Sequence, residues 1–298
     1  MKKRSVSDRI ADIVINLVFL IFTIICIYPF YYLIINTISA NDLSASGDIL
    51  FWPKQIHFSN YVNVFKIDGL LHAGLVSVAR TVLGSAGTVF GSAFLGYMFT
   101  QQDMMGRKFW YRYTIITMYI SAGLIPWYLT MMNLHLLNNF LAYVIPGIVG
   151  PFNIILVKTY VEGIPHELEE AGVIDGAGVM TVFTKIVLPI CKPILATVAI
   201  FSSVGQWNAF QDTLFLVTDT KLYTLQFILY QYVNQASSLA ASFKNNASAG
   251  ALANMATMQT PTSIRMTVAV IVVLPVMIVY PIFQRSFIKG IMIGAVKG

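Results

Sequence analysis

The chain has 298 residues, 57% of them hydrophobic and 11% charged, with a net charge of +6 and a mean hydropathy of +0.71. A soluble domain averages roughly 45–50% apolar and about 25% charged residues, so lipid is the solvent for most of this surface. That excludes a disordered chain, a secreted disulfide scaffold and a nucleic-acid module, and Cys26 and Cys191 fit no redox or metal spacing.

A membrane-crossing helix needs about 20 mostly apolar residues, because its backbone must be satisfied internally across roughly 30 Å of hydrocarbon. Six runs meet this, at about 13–38, 71–100, 110–132, 140–161, 186–206 and 266–287, and they predict an all-α membrane protein with one transmembrane domain over 1–298. Between the first two runs, residues 40–69 carry Trp52, Pro53, His57, Tyr61 and Phe65, the composition of a short amphipathic element on the outer surface. The second run repeats small residues at Gly84, Gly87, Gly91 and Gly96, which let a helix of this subunit or of a partner approach closely. It also carries Arg80, a charge inside a span. Such a charge faces an interior or a partner, or snorkels to the surface. It can also pair with an anionic ligand. The third and fourth runs offer Tyr119, Trp127, Tyr128 and Asn153 as cavity-lining candidates. Interior prolines (Pro29, Pro126, Pro146, Pro151, Pro193, Pro275, Pro281) are compatible with spans whose neighbours recapture the freed backbone groups. Residues 208–263 form a long outer segment whose Ala/Ser/Asn-rich part, 236–256, reads as a loop or a soft helix.

Charge placement orients the chain. With the N-terminus inside, thirteen Lys and Arg fall on the inner side and six on the outer, which predicts two cytoplasmic termini. A cleaved signal peptide fits the first run poorly, because the run is too long and five more follow.

The segment between runs four and five, 162–185, is the most informative. Five of the 13 acidic residues lie between Glu162 and Asp175, marking a solvated segment. Pro165 suits the first turn of a helix, and Glu167, Glu169 and Glu170 suit its positive end. Asp175-Gly176 then breaks that helix, and a second short one runs from about Gly178 to Lys185. The prediction is a helix–turn–helix elbow with small residues (Ala171, Gly172, Gly176, Ala177) on its surface and acids that pair with a basic partner.

The pattern Glu170-Ala171-Gly172-x2-Asp175-Gly176-Ala177-x8-Ile186-x-Leu188-Pro189 resembles the EAA loop of bacterial ABC-importer permeases in order and spacing. Gly172 stands where that family usually has alanine. The run Gly205-Gln206-Trp207-Asn208-Ala209-Phe210-Gln211-Asp212, with Leu222–Gln226 and the terminal Gly294-Ala295-Val296-Lys297-Gly298, looks like carbohydrate permeases of the MalG type and most like the LplC-like branch. The resemblance covers essentially the whole chain and is weakest over 230–263. It implies a type I ABC-importer permease fold in the bacterial cytoplasmic membrane, a second homologous permease, two ATPase subunits that bind ATP and Mg, and an extracellular solute-binding protein. It also implies an oligosaccharide cargo, alginate- and pectin-derived fragments among the kinds associated with that branch. Glu170 is the expected docked charge, Gly172 and Gly176 give close approach, and the tail Gly294, Lys297 and Gly298 reaches between the ATPases.

For the sugar path, Gln206, Trp207, Asn208, Gln211 and Asp212 supply an aromatic face with amides and a carboxylate, although a Trp at a membrane boundary needs no ligand to explain it. The chain has no Gly-x4-Gly-Lys-Ser/Thr loop to cradle ATP, and His57, His72, His135 and His166 are scattered without metal-ligand spacing. No catalytic residue or metal ligand is therefore expected, and no nucleic-acid partner. An ion-coupled transporter predicts acids within the spans, and none of the six holds a central Asp or Glu. A peptide or amino-acid permease is compatible with the elbow but not with the 205–212 and tail motifs.

Overall fold

The computed structural model describes residues 6–245, 260 and 262–278, and among these no strand occurs. The helices are α1 (Val6–Thr37), α2 (Asn41–Ser46), α3 (Ser59–Phe65), α4 (Leu70–Met98), α5 (Arg107–Ile116), α6 (Leu124–Asn133), α7 (Pro151–Val161), α8 (Glu167–Ile174), α9 (Val179–Val182), α10 (Leu188–Ile190), α11 (Lys192–Asn208), α12 (Gln211–Leu216), α13 (Leu225–Asn245) and α14 (Thr262–Ile278). They fall into two compact units, one from residues 1–68 and 231–274, the other from 69–230 and 275–298.

In the first unit, α1 is long and apolar enough to cross a membrane, and none of the described residues covers its apolar stretch. Its last turn enters a polar knot. Asn36, Thr37, Ser39, Asn41, Ser44 and Asn60 are all buried. Most of their groups find partners inside the knot: Ser44 Oγ donates to Asn36 Oδ1 at 2.9 Å, and Asn60 Nδ2 donates to the Thr37 carbonyl at 3.0 Å and to Asn41 Oδ1 at 2.8 Å, while Asn60 Oδ1 has no partner among the described residues. Buried polar groups that are paired fix one arrangement. Here they clamp the segment carrying α2 and α3 to the end of α1.

In the second unit, α4 is the central helix, packed against α7 and α11. Its glycines explain the fit. A Cβ on Gly91 would collide with the backbone carbonyl of Ile148, and one on Gly96 would lie 2.8 Å from Val157 Cγ1. The small-residue stripe is thus used for packing within this subunit. One core joins Ala93 and Tyr97 of α4, Val157 and Val161 of α7, and Val182, Phe183, Val187, Ile194 and Val198 around α9–α11.

α1 and α4 are the two described helices that pass as single straight spans, and two bent pairs add candidates: 140–147 with α7 (bent 42°) and 179–190 with α11 (bent 78°). The expected run 110–132 is instead α5 and α6, separated at 117–123. Prolines account for these breaks. Pro126, Pro151 and Pro193 each lie in the first turn of the second piece, where a missing N–H costs nothing, and each ring clashes with the carbonyl four residues earlier. Within the outer segment 208–263 lie α12 and α13, and α13 runs to Asn245, so the described part of the stretch read as a loop or a soft helix, 236–245, is helical. The sixth expected run is described as α14, and its part beyond residue 278 lies outside the described residues, as does 246–259.

Candidate functional site

The elbow forms as the sequence dictates. Pro165 precedes α8, Glu167, Glu169 and Glu170 fill its first turn, and Gly176 ends it in the left-handed region (φ 82°). The Ala177 N–H donates to the Gly172 carbonyl and the Gly176 N–H to the Val173 carbonyl, both at 2.9 Å, a Schellman closure that only a residue tolerant of positive φ makes without strain. After the turn, α9 runs into a π-helical turn, Phe183–Val187.

Besides the shared core, an aromatic stack and a hydrogen bond fasten the elbow to the rest of the second unit. Phe183 stacks on Tyr97 of α4, with ring centroids 5.1 Å apart. Gln101 Nε2, just past α4, donates to Glu169 Oε2 at 3.1 Å. Glu170, Ala171, Asp175, Gly176 and Pro189 are exposed and Leu188 is half-buried. Gly172 differs from the others: it is buried, and a Cβ there would lie 2.6 Å from Ile186 Cδ1. Its smallness serves the closure of the elbow on itself, leaving Ala171 and Gly176 as the small residues that face outward.

The second constellation centres on Arg80, which is 2% exposed. Its five N–H groups all have acceptors. Nε and Nη2 donate to Gln206 Oε1 at 3.2 and 3.1 Å, Nη1 to the Ala209 carbonyl and to Asp212 Oδ1 at 3.1 Å each, and Nη2 to Asp212 Oδ2. The Tyr143 ring covers the guanidinium at 4.4 Å, and Gln206 Nε2 donates to the Tyr143 carbonyl at 3.2 Å. The geometry has a plain local cause. α11 ends at Asn208 and α12 begins at Gln211, and Arg80 holds the carbonyl left over at the break together with the carboxylate in the first turn of α12.

A groove of about 1040 Å³ runs along this break, lined by Thr117, Ser121, Trp127, Asn208, Gln211 and Asp212 among others. A smaller cavity of about 380 Å³ joins Trp127, Asn153, Tyr143 and Thr88 to the Arg80–Asp212 pair. Arg80 and Asp212 are the charged groups among the described residues lining the two, and they neutralise each other. What remains on the walls is a mostly apolar lining, with Met118, Ile120, Leu124, Phe210 and Phe215, in which an indole, amides and hydroxyls are set; apolar and aromatic faces can meet the C–H side of a sugar and the amides and hydroxyls its hydroxyl groups.

The expected path residues therefore divide. Asn208, Gln211, Asp212, Gln206 and Asn153 line the groove or the cavity beside it. Trp207 is buried and lines a separate apolar cavity of about 280 Å³ with Val78, Val82 and Pro275. Tyr128 packs against the core of Met131, Tyr143 and Leu216. Tyr119 is exposed. Tyr143 and Thr88 also line the cavity, and the sequence does not single them out, because one aromatic or hydroxyl in an apolar run carries no positional signal. The tail residues Gly294, Lys297 and Gly298 lie outside the described residues.

No family model matches the chain. It is 31% identical to the Bacillus subtilis polygalacturonan/rhamnogalacturonan transport system permease protein YtcP, over 98% of this chain and 100% of that protein. It is 35% identical to protein LplC of the same organism, over 92% of this chain and 90% of LplC. Among solved structures, a bacterial ABC transporter involved in the import of the acidic polysaccharide alginate superposes with a TM-score of 0.82 at 27% identity, covering 96% of this chain and 100% of that one. These relatives are integral membrane transport components rather than enzymes, and coverage at both ends of each comparison is nearly complete. The chain belongs to the sugar ABC-transporter permeases, in the LplC-like branch.

Proposed function

We propose that the chain is one of two permease subunits of an ATP-driven oligosaccharide importer and that energy enters it through the 162–185 elbow. The carrying observation is the exposed face of that elbow. Glu170, Ala171, Asp175 and Gly176 are open to a partner, while the Phe183–Tyr97 stack and the Gln101–Glu169 bond tie the same segment to α4 and the turn that follows it. A force on the exposed face is transmitted to the central helix rather than absorbed in the turn. Two separate ATPase subunits bind ATP and Mg and dock on the two elbows. Their closure tilts the helices and switches the path between inward-open and outward-open, a rigid-body change between two states. In this reading the chain crosses the bacterial cytoplasmic membrane six times with both termini inside, the tail at 294–298 reaches between the ATPases, and a solute-binding protein delivers cargo to the outer side.

The cargo we infer is an oligosaccharide released from acidic plant or algal polysaccharide, because polygalacturonan and alginate are named for two of the relatives. The groove fits the hydroxyl-rich part of such a ligand, with Asn208 and Gln211 as hydrogen-bonding groups and Trp127 as the stacking face. Arg80 is saturated by Gln206, Ala209 and Asp212, so its part is to hold that wall in place rather than to pair with a uronate.

The test is Glu170→Lys in the assembled transporter. Stimulation of ATP hydrolysis by loaded binding protein is expected to fall to the basal level while the subunits still co-purify. Unchanged stimulation would remove Glu170 from the coupling role.

A further inference from the structure

The segment between α2 and α3 has a feature that sugar transport does not use. Three successive carbonyls of this segment are captured by side chains of α1. Asn36 Nδ2 donates to the Ile49 carbonyl at 3.3 Å, Tyr28 Oη to the Leu50 carbonyl at 3.0 Å, and Tyr31 Oη to the Phe51 carbonyl at 2.5 Å. The Tyr28 and Phe51 rings lie 5.9 Å apart. Ile49 is fully buried, but the next three side chains point away: Leu50 is 53% exposed, Phe51 63% and Trp52 77%. Pro53 follows and has no N–H to leave unpaired.

The depth of this tip follows from helix geometry. α1 begins at Val6 and Asp12 is its last charged residue, and from Ile13 about 20 residues at 1.5 Å each cover roughly 30 Å of hydrocarbon, ending near Tyr32. Tyr28 and Tyr31 therefore sit in the last turns of that stretch, at the membrane–water boundary, and α1 continues beyond it to Thr37. By hydrogen-bonding to those tyrosines, residues 50–52 are folded back along α1 from its end down to the boundary. This is the depth at which Trp and Tyr rings are most at home. A chain entering that region must bring its carbonyls already satisfied. The exposed apolar surface of the tip is also continuous with the uncovered apolar surface of α1.

We propose that Leu50, Phe51 and Trp52 form an interfacial lipid anchor, with Phe51 and Trp52 inserted at the headgroup–acyl boundary and Tyr28 and Tyr31 acting as the hooks that hold them there. The occupant is phospholipid. A covering protein subunit is the competing outcome.

The experiment uses the assembled transporter reconstituted in phosphatidylcholine vesicles, comparing the native chain with Trp52→Phe so that the difference emission reports Trp52 alone. With acyl chains brominated near the headgroup, that difference is expected to lose about half its intensity or more, and less with bromines near the chain ends. Emission untouched by both lipids but quenched by aqueous iodide would put the tip in water. Emission untouched by lipids and iodide alike would put it under another subunit. Either result overturns the anchor. The double variant Tyr28→Phe/Tyr31→Phe frees two of the carbonyls and is expected to reduce the lipid quenching, and full quenching retained there would overturn the role given to the hooks.

Discussion

At the scale of single residues, the sharpest case is Arg80. In the sequence it is an unexplained charge in a span. In the fold it has no free donor, because Gln206, Ala209 and Asp212 take all five N–H groups from one side while Tyr143 covers its face. Its partner is 132 positions away, so no local pattern announced it. Breaking a buried pair by removing one member costs roughly 3–5 kcal/mol, mostly because the other charge is stranded. Arg80→Ala is therefore expected to lower the thermal stability of the purified transporter, and Arg80→Lys to recover little, since an ammonium lacks the planar fork. The two variants are expected to depress uptake of acidic and neutral oligosaccharides alike. A selective loss of the acidic ones in a transport assay would instead show Arg80 reading cargo charge.

Two glycines make a paired prediction with opposite signs. Alanine at Gly91 drives a methyl into the Ile148 backbone carbonyl, which nothing flexible can relieve, and overpacking of this kind costs roughly 1–3 kcal/mol. Alanine at Gly172 clashes with the terminal methyl of Ile186, which can rotate, touches Val182 Cγ2 at an ordinary 3.4 Å, and removes a helix glycine worth up to about 1 kcal/mol. Thermal unfolding monitored on the two variants is expected to show Gly91→Ala less stable than the native chain and Gly172→Ala as stable or more so. A destabilised Gly172→Ala would mean that the elbow is packed more tightly than its contacts indicate.

At the scale of elements, what was legible depended on whether local chemistry fixes the structure. The elbow was readable because an acidic, glycine-marked stretch between apolar runs has few alternatives. Pro165, the first-turn acids and Gly176 each set one boundary of α8. Span α4 was readable because its apolar run is uninterrupted by proline. The breaks were less so. Hydropathy runs straight through 110–132, 140–161 and 186–206, while Pro126, Pro151 and Pro193 interrupt the backbone without interrupting the apolarity. The hydrophobic signal reports solvent, and the proline reports hydrogen bonding, so the two diverge where a span is bent. The same separation explains Trp207: its residue type and place suggested a sugar platform, but α11 turns it to the apolar cavity beside Val78 and Val82, and its neighbour Asn208 faces the groove instead.

At the scale of the whole molecule, the proposed function divides between two ends of the second unit. The groove side is electrically balanced, held by one ion pair and walled by apolar side chains with neutral polar groups among them, which on that proposal suits passage rather than tight retention of a carbohydrate. The elbow side concentrates acids on an exposed face, with a stiff link through Phe183 and Tyr97 to α4. α4 itself carries Arg80, so one helix connects the elbow to the wall that lines the groove. On the proposed reading, that connection is the physical basis for coupling.

The most direct measurement is a cross-link at the elbow. With Cys26 and Cys191 replaced by serine, Ala171→Cys presents a thiol on the exposed face of α8. In the assembled transporter, a short thiol-reactive cross-linker is expected to join it to the ATPase subunit and to abolish transport-stimulated ATP hydrolysis. If Ala171→Cys is freely labelled by a water-soluble maleimide in the assembled transporter and forms no adduct with the ATPase, the elbow is not where energy enters.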